Sequence, residues 1–132
     1  MLDLQFVCDN LDAVRANCQH RHVKVDLDNL LKLRESRSQL IVALDRDRQR
    51  QNEIAQSIPK EKSPEARQAL IEQGKALKQS VPAVEAQLKE IEADVRTVLM
   101  SIPNMTHPGS PLGEEADSRT VRTWGTIPKF DF

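Results

Sequence analysis

The chain has 132 residues, 39% of them hydrophobic and 30% charged, with a formal net charge of −1. That is the length of one domain, with little apolar material for a deep core. The charge balance by itself argues neither for nor against a nucleic-acid partner, and no run of about eighteen apolar residues offers a membrane span.

Residues 1–26 read as one or two short helices and a connection. Asp3 and Asn10 each stand as an N-cap ahead of a small amphipathic run. Phe6, Val7, Leu11, Val14 and Cys18 form the face expected to pack together. His20, Arg21 and His22 place cations near a helix C-terminus, where the macrodipole favours them. Asp26 is suited to cap a helix starting at Leu27. Cys8 and Cys18 are the only cysteines and form no C-x-x-C pair. With Asp3 where a signal peptide would be basic and then apolar, the plain expectation is a reduced, cytoplasmic protein that is neither secreted nor membrane-bound.

A first long helix is predicted over about 27–58. Leu30, Leu33, Leu40, Leu44, Ile54 and Ile58 keep a rhythm of three and four, interrupted by Arg37, Asp47 and Gln51. Pro59-Lys60-Glu61-Lys62-Ser63-Pro64 then stops one helix and opens another. A second helix is predicted over about 64–100. Leu70, Leu77, Val81, Val84, Leu88, Ile91, Val95 and Val98 alternate as a coiled-coil seam does. A short connection makes the two helices antiparallel neighbours, each reaching on the order of 50 Å. Pro82 lies inside the second helix and predicts a kink near 78–82, with Gly74 softening the turn before it.

After Met100 the chain becomes turn-rich, through Pro103, Pro108, Gly109, Pro111 and Gly113. Thr120–Trp124 alternates like one strand, which would need a sheet from elsewhere. The expected fold class is therefore all-α: a long antiparallel two-helix coiled-coil hairpin with short N-terminal helices at its base. Residues 1–26 form that base, 27–100 the arm and 101–132 an extended C-terminal segment, read as a linker and strand leading to a further domain.

Charge is distributed unevenly along the arm. Between residues 46 and 78, eight bases (Arg46, Arg48, Arg50, Lys60, Lys62, Arg67, Lys75, Lys78) face five acids; between 85 and 94, Lys89 is the one base among four acids. The tip reads as basic and the arm's other end as acidic. A solvated coiled-coil surface accounts for such a patch. The sharper reading is a surface that tracks RNA phosphates. The four aromatic residues are Phe6, Trp124, Phe130 and Phe132, none of them on the arm. Stacking on bases is thus excluded as the main mode, leaving shape and backbone recognition by Arg and Lys.

Other constellations carry less. Cys18, His20 and His22 diverge on a helix, so no metal ligation is expected of them. His107 reads as a loop residue. Asp45 and Asp47, like Glu90, Glu92 and Asp94, suit a solvated helix face. No nucleophile–base pair, phosphate loop or paired carboxylate in a cleft is evident, and neither a catalytic residue nor a cofactor is expected within the chain.

Met1-Leu2-Asp3-Leu4-Gln5-Phe6, then Asn10, Val14-Arg15 and Val25-Asp26-Leu27-Asp28, resemble the opening of bacterial seryl-tRNA synthetases. Ser101-Ile102-Pro103-Asn104, Pro111, Gly113, Val121-Arg122, Trp124-Gly125 and Lys129-Phe130-Asp131-Phe132 are similar to that family's junction between arm and catalytic domain. The resemblance implies an arm that grips the long variable arm of serine tRNA, and of selenocysteine tRNA, mainly by its backbone. It also implies a homodimeric, full-length class II enzyme using ATP and Mg²⁺, whose signature motifs would lie beyond Phe132. The 132-residue chain alone is then expected to be inactive. Two features depart from the family: His22-Val23, where a glycine often follows the first short helices, and Pro82. The rival reading is a protein-interaction hairpin with no RNA partner, its polar seam positions choosing a partner helix.

Overall fold

Side-chain caps fix where three of the four α-helices begin. The structure, a computed structural model, describes residues 1–126 and 128–131; Ile127 and Phe132, the latter part of the C-terminal resemblance, lie outside the described residues. Helix α1 spans Leu4–Asp9, and the Asp3 carboxylate accepts from the backbone N–H groups of Gln5 (2.8 Å) and Phe6 (3.3 Å). Helix α2 spans Leu11–His20. Asn10 precedes it but serves α1 instead: its Nδ2 donates to the Phe6 carbonyl at 2.9 Å, and it makes no side-chain cap on α2. One residue joins the two helices, and its amide satisfies a C-terminal carbonyl rather than an N-terminal N–H.

Helix α3 runs Leu27–Ser57, capped by Asp26 through a 2.8 Å bond from the Asn29 N–H. Helix α4 runs Pro64–Ser101, capped by Ser63, with Pro64 in its first turn. The two pack together as an antiparallel hairpin. Pro82 lies within α4, which remains helical through 78–82. Its ring is exposed while Val81 beside it is buried, so the seam keeps phase across the proline. Arg37, Asp47 and Gln51, which interrupt the apolar rhythm, are half-buried and hold seam positions all the same. Gly74 holds another, between Leu70 and Leu77. An ideal Cβ on it would lie 3.5 Å from Ile54 Cγ2, an ordinary contact distance, so the buried Ile54 packs beside it and leaves room for a methyl group.

The core sits at the base of the hairpin. Val7, Val14 and Cys18 from the short helices meet Leu27 and Leu30 from the root of α3, and Val95, Leu99 and Ile102 from the end of α4. Full burial of side chains such as Leu27 and Leu30 contributes about 1.5–3 kcal/mol each. Burial also pushes the Cys18 thiol up from its ordinary value, which keeps it protonated and unreactive.

Asn17, buried on α2, clasps the chain leaving α4. Its Oδ1 accepts from the Thr106 N–H at 2.9 Å and its Nδ2 donates to the Asn104 carbonyl at 3.3 Å. Arg21 donates to the same carbonyl at 3.1 Å. Helix α2 ends in a Schellman motif: the Val23 N–H bonds the Cys18 carbonyl and the His22 N–H that of Gln19. The residue in the left-handed position is His22, with φ 53°. Glycine would hold that position without strain.

Beyond Ile102 a short 3-10 turn, Glu115–Asp117, is the one regular element among the described residues of the C-terminal segment. Thr120–Trp124, read from its alternation as a strand, pairs with nothing among the described residues and forms no ladder. Its backbone groups have no neighbouring strand to bond. Val121 and Trp124 are largely exposed there, and the Arg122 guanidinium lies 5.0 Å from the Trp124 ring centre.

Candidate nucleic-acid interface

The seam fixes which way every arm residue faces. In a heptad helix, residues seven apart share a row. Two ion pairs cross the seam: Arg48 to Glu85 at 2.7 Å and Arg37 to Glu92 at 2.9 Å. Glu85 and Glu92 are seven apart, so both crossings lie on one flank of the hairpin. Lys78 is seven before Glu85 and belongs to the same row. Lys75, three before Lys78, opens the adjacent outer row, which continues through Pro82 to Lys89 and Arg96.

The other flank has a different lining. Ser36, Gln39 and Leu40 of α3 face Gln87, Glu90 and Ile91 of α4 around a shallow recess of about 310 Å³. Arg46 is seven beyond Gln39, and Arg50 is fourteen beyond Ser36, so both belong to this side. Each also has an acid at hand: Arg50 pairs with Glu53 at 3.3 Å, and Arg46 approaches Asp47 at 3.6 Å.

The eight cations singled out from sequence thus fall into three groups. Arg48, Lys75 and Lys78 share the ion-paired flank, and Arg46 and Arg50 share the opposite one. Lys60 and Lys62 occupy the turn, with Arg67 in the first turn of α4 at the tip. All eight are exposed. Among the described residues, Arg46, Arg48 and Arg50 have carboxylate partners, whereas Lys60, Lys62, Arg67, Lys75 and Lys78 have none. Such exposed pairs contribute little to stability, at most about 1 kcal/mol each. Their consequence is electrostatic, because each cancels a charge that a phosphate would otherwise meet.

Sequence reading placed an acidic stretch at 85–94. In space that acidity is divided. Glu85 and Glu92 are neutralised by arginines from α3, while Glu90 faces the other flank. Lys89, which stands as the one base of that stretch, and Arg96 fall into the Lys75 row; their spacing of fourteen and twenty-one from Lys75 is the signal that identifies them.

The base has its own recess, about 500 Å³, lined by His20, Arg21, His22, Thr106 and His107 among others. Cys18 is buried in the core beneath, away from the two histidines that follow it in sequence. No group of three or more histidine, cysteine or carboxylate side chains is poised to hold a metal among the described residues.

The family described as the seryl-tRNA synthetase N-terminal domain matches residues 1–106. The whole chain aligns with proteins named serine–tRNA ligase. It is 41% identical over 133 aligned positions to that of Treponema denticola, covering 100% of this chain and 32% of the relative. It is 38% identical to those of Rubrobacter xylanophilus and Deinococcus radiodurans, covering 31% of each. The chain therefore spans about a third of the length of these relatives.

Proposed function

The chain belongs to the seryl-tRNA synthetase N-terminal domain family, and on that premise we propose that it is the tRNA-binding arm of a serine–tRNA ligase. It grips the long variable arm of serine tRNA, and that of selenocysteine tRNA, by shape and phosphate contacts. Of the eight cations singled out from the sequence, Lys60, Lys62, Arg67, Lys75 and Lys78, which have no acid partner among the described residues, supply the cationic surface. One observation carries this reading: an extended hairpin whose distal half bears cations without acid partners among the described residues, and no aromatic side chain. Such a surface suits a charged, folded backbone and offers no platform for unstacked bases.

In the whole enzyme, ATP and Mg²⁺ would activate serine and the arm would hold the tRNA that receives it. The described residues hold no metal-binding cluster, and no step through these groups is assigned to them. The whole enzyme is proposed to be a cytoplasmic homodimer in which the arm of one subunit serves the active site of the other. No described helix is long and apolar enough to cross a membrane.

The rival reading, a hairpin that recruits a further helix, finds less support. Arg37, Asp47 and Gln51 are half-buried against α4, and Arg37 is engaged by Glu92, so these polar seam residues serve the intramolecular pairing.

The test is binding of the chain to a serine tRNA transcript and to a tRNA with a short variable arm, across a salt series. Selective binding to serine tRNA, weakening steeply with salt and lost on Lys60→Glu, Lys62→Glu and Arg67→Glu together, is expected. Equal binding to both tRNAs, or full binding by the triple variant, would overturn the assignment.

A further inference from the structure

The arm's charge has a side as well as an end. On the ion-paired flank, Glu85 and Glu92 are each closed off by an arginine from α3. Lys75, Lys78, Lys89 and Arg96 on the same flank are exposed and have no acid partner among the described residues. At about 1.5 Å per residue, the row from Lys75 to Arg96 extends roughly 32 Å along α4. Arg34, fourteen residues before Arg48 and so in its row, adds a further cation on the α3 edge, and Asp45, three before Arg48, adds an acid.

Across the hairpin the pattern reverses. Glu90 lines the recess of the opposite flank, and Asp94, seven beyond Gln87, shares that side. Both lack a basic partner among the described residues; Arg46 and Arg50 have carboxylates beside them, which leaves Lys32, seven before Gln39, as the unpaired cation of this side among the described residues. A helix about 10–12 Å across separates the flanks. That exceeds the Debye length of about 8 Å at physiological ionic strength, so an approaching polyanion meets the two sides as different surfaces.

We propose that tRNA phosphates follow the ion-paired flank of the hairpin from its tip toward its base, with Lys89 and Arg96 as further phosphate contacts and Arg46 and Arg50 turned away. This rests on the reading of the chain as a tRNA-binding arm and adds to it a face and two residues. The occupant is the sugar–phosphate backbone of a folded RNA. A row of flexible ammonium and guanidinium groups at heptad spacing matches its charge, and the flank presents no aromatic ring for stacking.

The experiment compares the salt dependence of serine tRNA binding by the parent chain, the K89Q/R96Q variant and the R46Q/R50Q variant. Circular dichroism and melting establish that each arm remains folded. Each phosphate contact removed lowers the slope of log K against log salt by about 1. K89Q/R96Q is expected to lower it by about 2 and to weaken binding at low salt, while R46Q/R50Q leaves the parent slope. A parent slope in K89Q/R96Q, or a reduced slope in R46Q/R50Q, overturns the proposed face. Absence of selective tRNA binding by the parent chain would instead remove the functional reading beneath it.

Discussion

His22 shows how one backbone angle limits the base. The Schellman motif at the end of α2 needs a left-handed residue, and a non-glycine there costs about 1 kcal/mol or more. His22→Gly is therefore expected to raise stability by about 1 kcal/mol in urea unfolding, and His22→Val to lower it, because a β-branched side chain tolerates this region least. Equal stability of the two variants would show that the strain is relieved elsewhere. Asn17 makes the opposite case, a buried amide whose bonds are all used. Asn17→Ala leaves the Thr106 N–H without its partner, with an expected loss of about 1–3 kcal/mol. Hydrogen exchange at the Thr106 amide should accelerate at the same time; unchanged exchange there would mean that the clasp does not hold the segment leaving α4.

At the scale of the element, α4 carries two residues that a helix disfavours, and they differ in purpose. Pro82 removes a backbone donor while its ring points to solvent. Pro82→Ala should therefore stabilise the arm by up to about 3 kcal/mol, read as a higher melting temperature. A lower melting temperature would assign the proline a packing role. Gly74 packs beside Ile54 in the seam. A Cβ there meets Ile54 at an ordinary contact distance, so Gly74→Ala gains helix propensity of about 1 kcal/mol without a clash. A loss in that variant would show that Ile54 has no room to adjust.

For the whole molecule, stability is expected to fall from base to tip. Side chains from α1, α2, α3 and α4 or its C-terminal end share one core at the base. Farther out only two helices meet, through a seam that includes Asp47, Gln51 and Gly74. Native-state hydrogen exchange should find the amides of 30–33 and 95–99 slowest and those of 49–57 and 66–73 among the fastest helical ones. Uniform protection along the hairpin would contradict this gradient. A labile tip also suits an element that adapts to a partner, since ordering it there requires little disruption of the base.

The sequence by itself determined the hairpin, because a repeat of three and four residues specifies a helix and its buried stripe before any partner is known. It also determined the turn, where Pro59 and Pro64 bracket a short polar run, and the opening caps at Asp3 and Asp26, whose side-chain oxygens act within three residues. What only the tertiary structure decided was sidedness and pairing. Arg48 and Arg50 are near neighbours in the chain yet occupy opposite flanks, and the acidic stretch 85–94 divides between an ion-paired flank and an open one. The clasp of Asn17 on Asn104 and Thr106 joins residues far apart in sequence, and no local pattern announces it. Local periodicity encodes which face of a helix is buried. Which charges survive on the faces left exposed depends on what the partner helix brings opposite them, and that is settled only when the two helices meet.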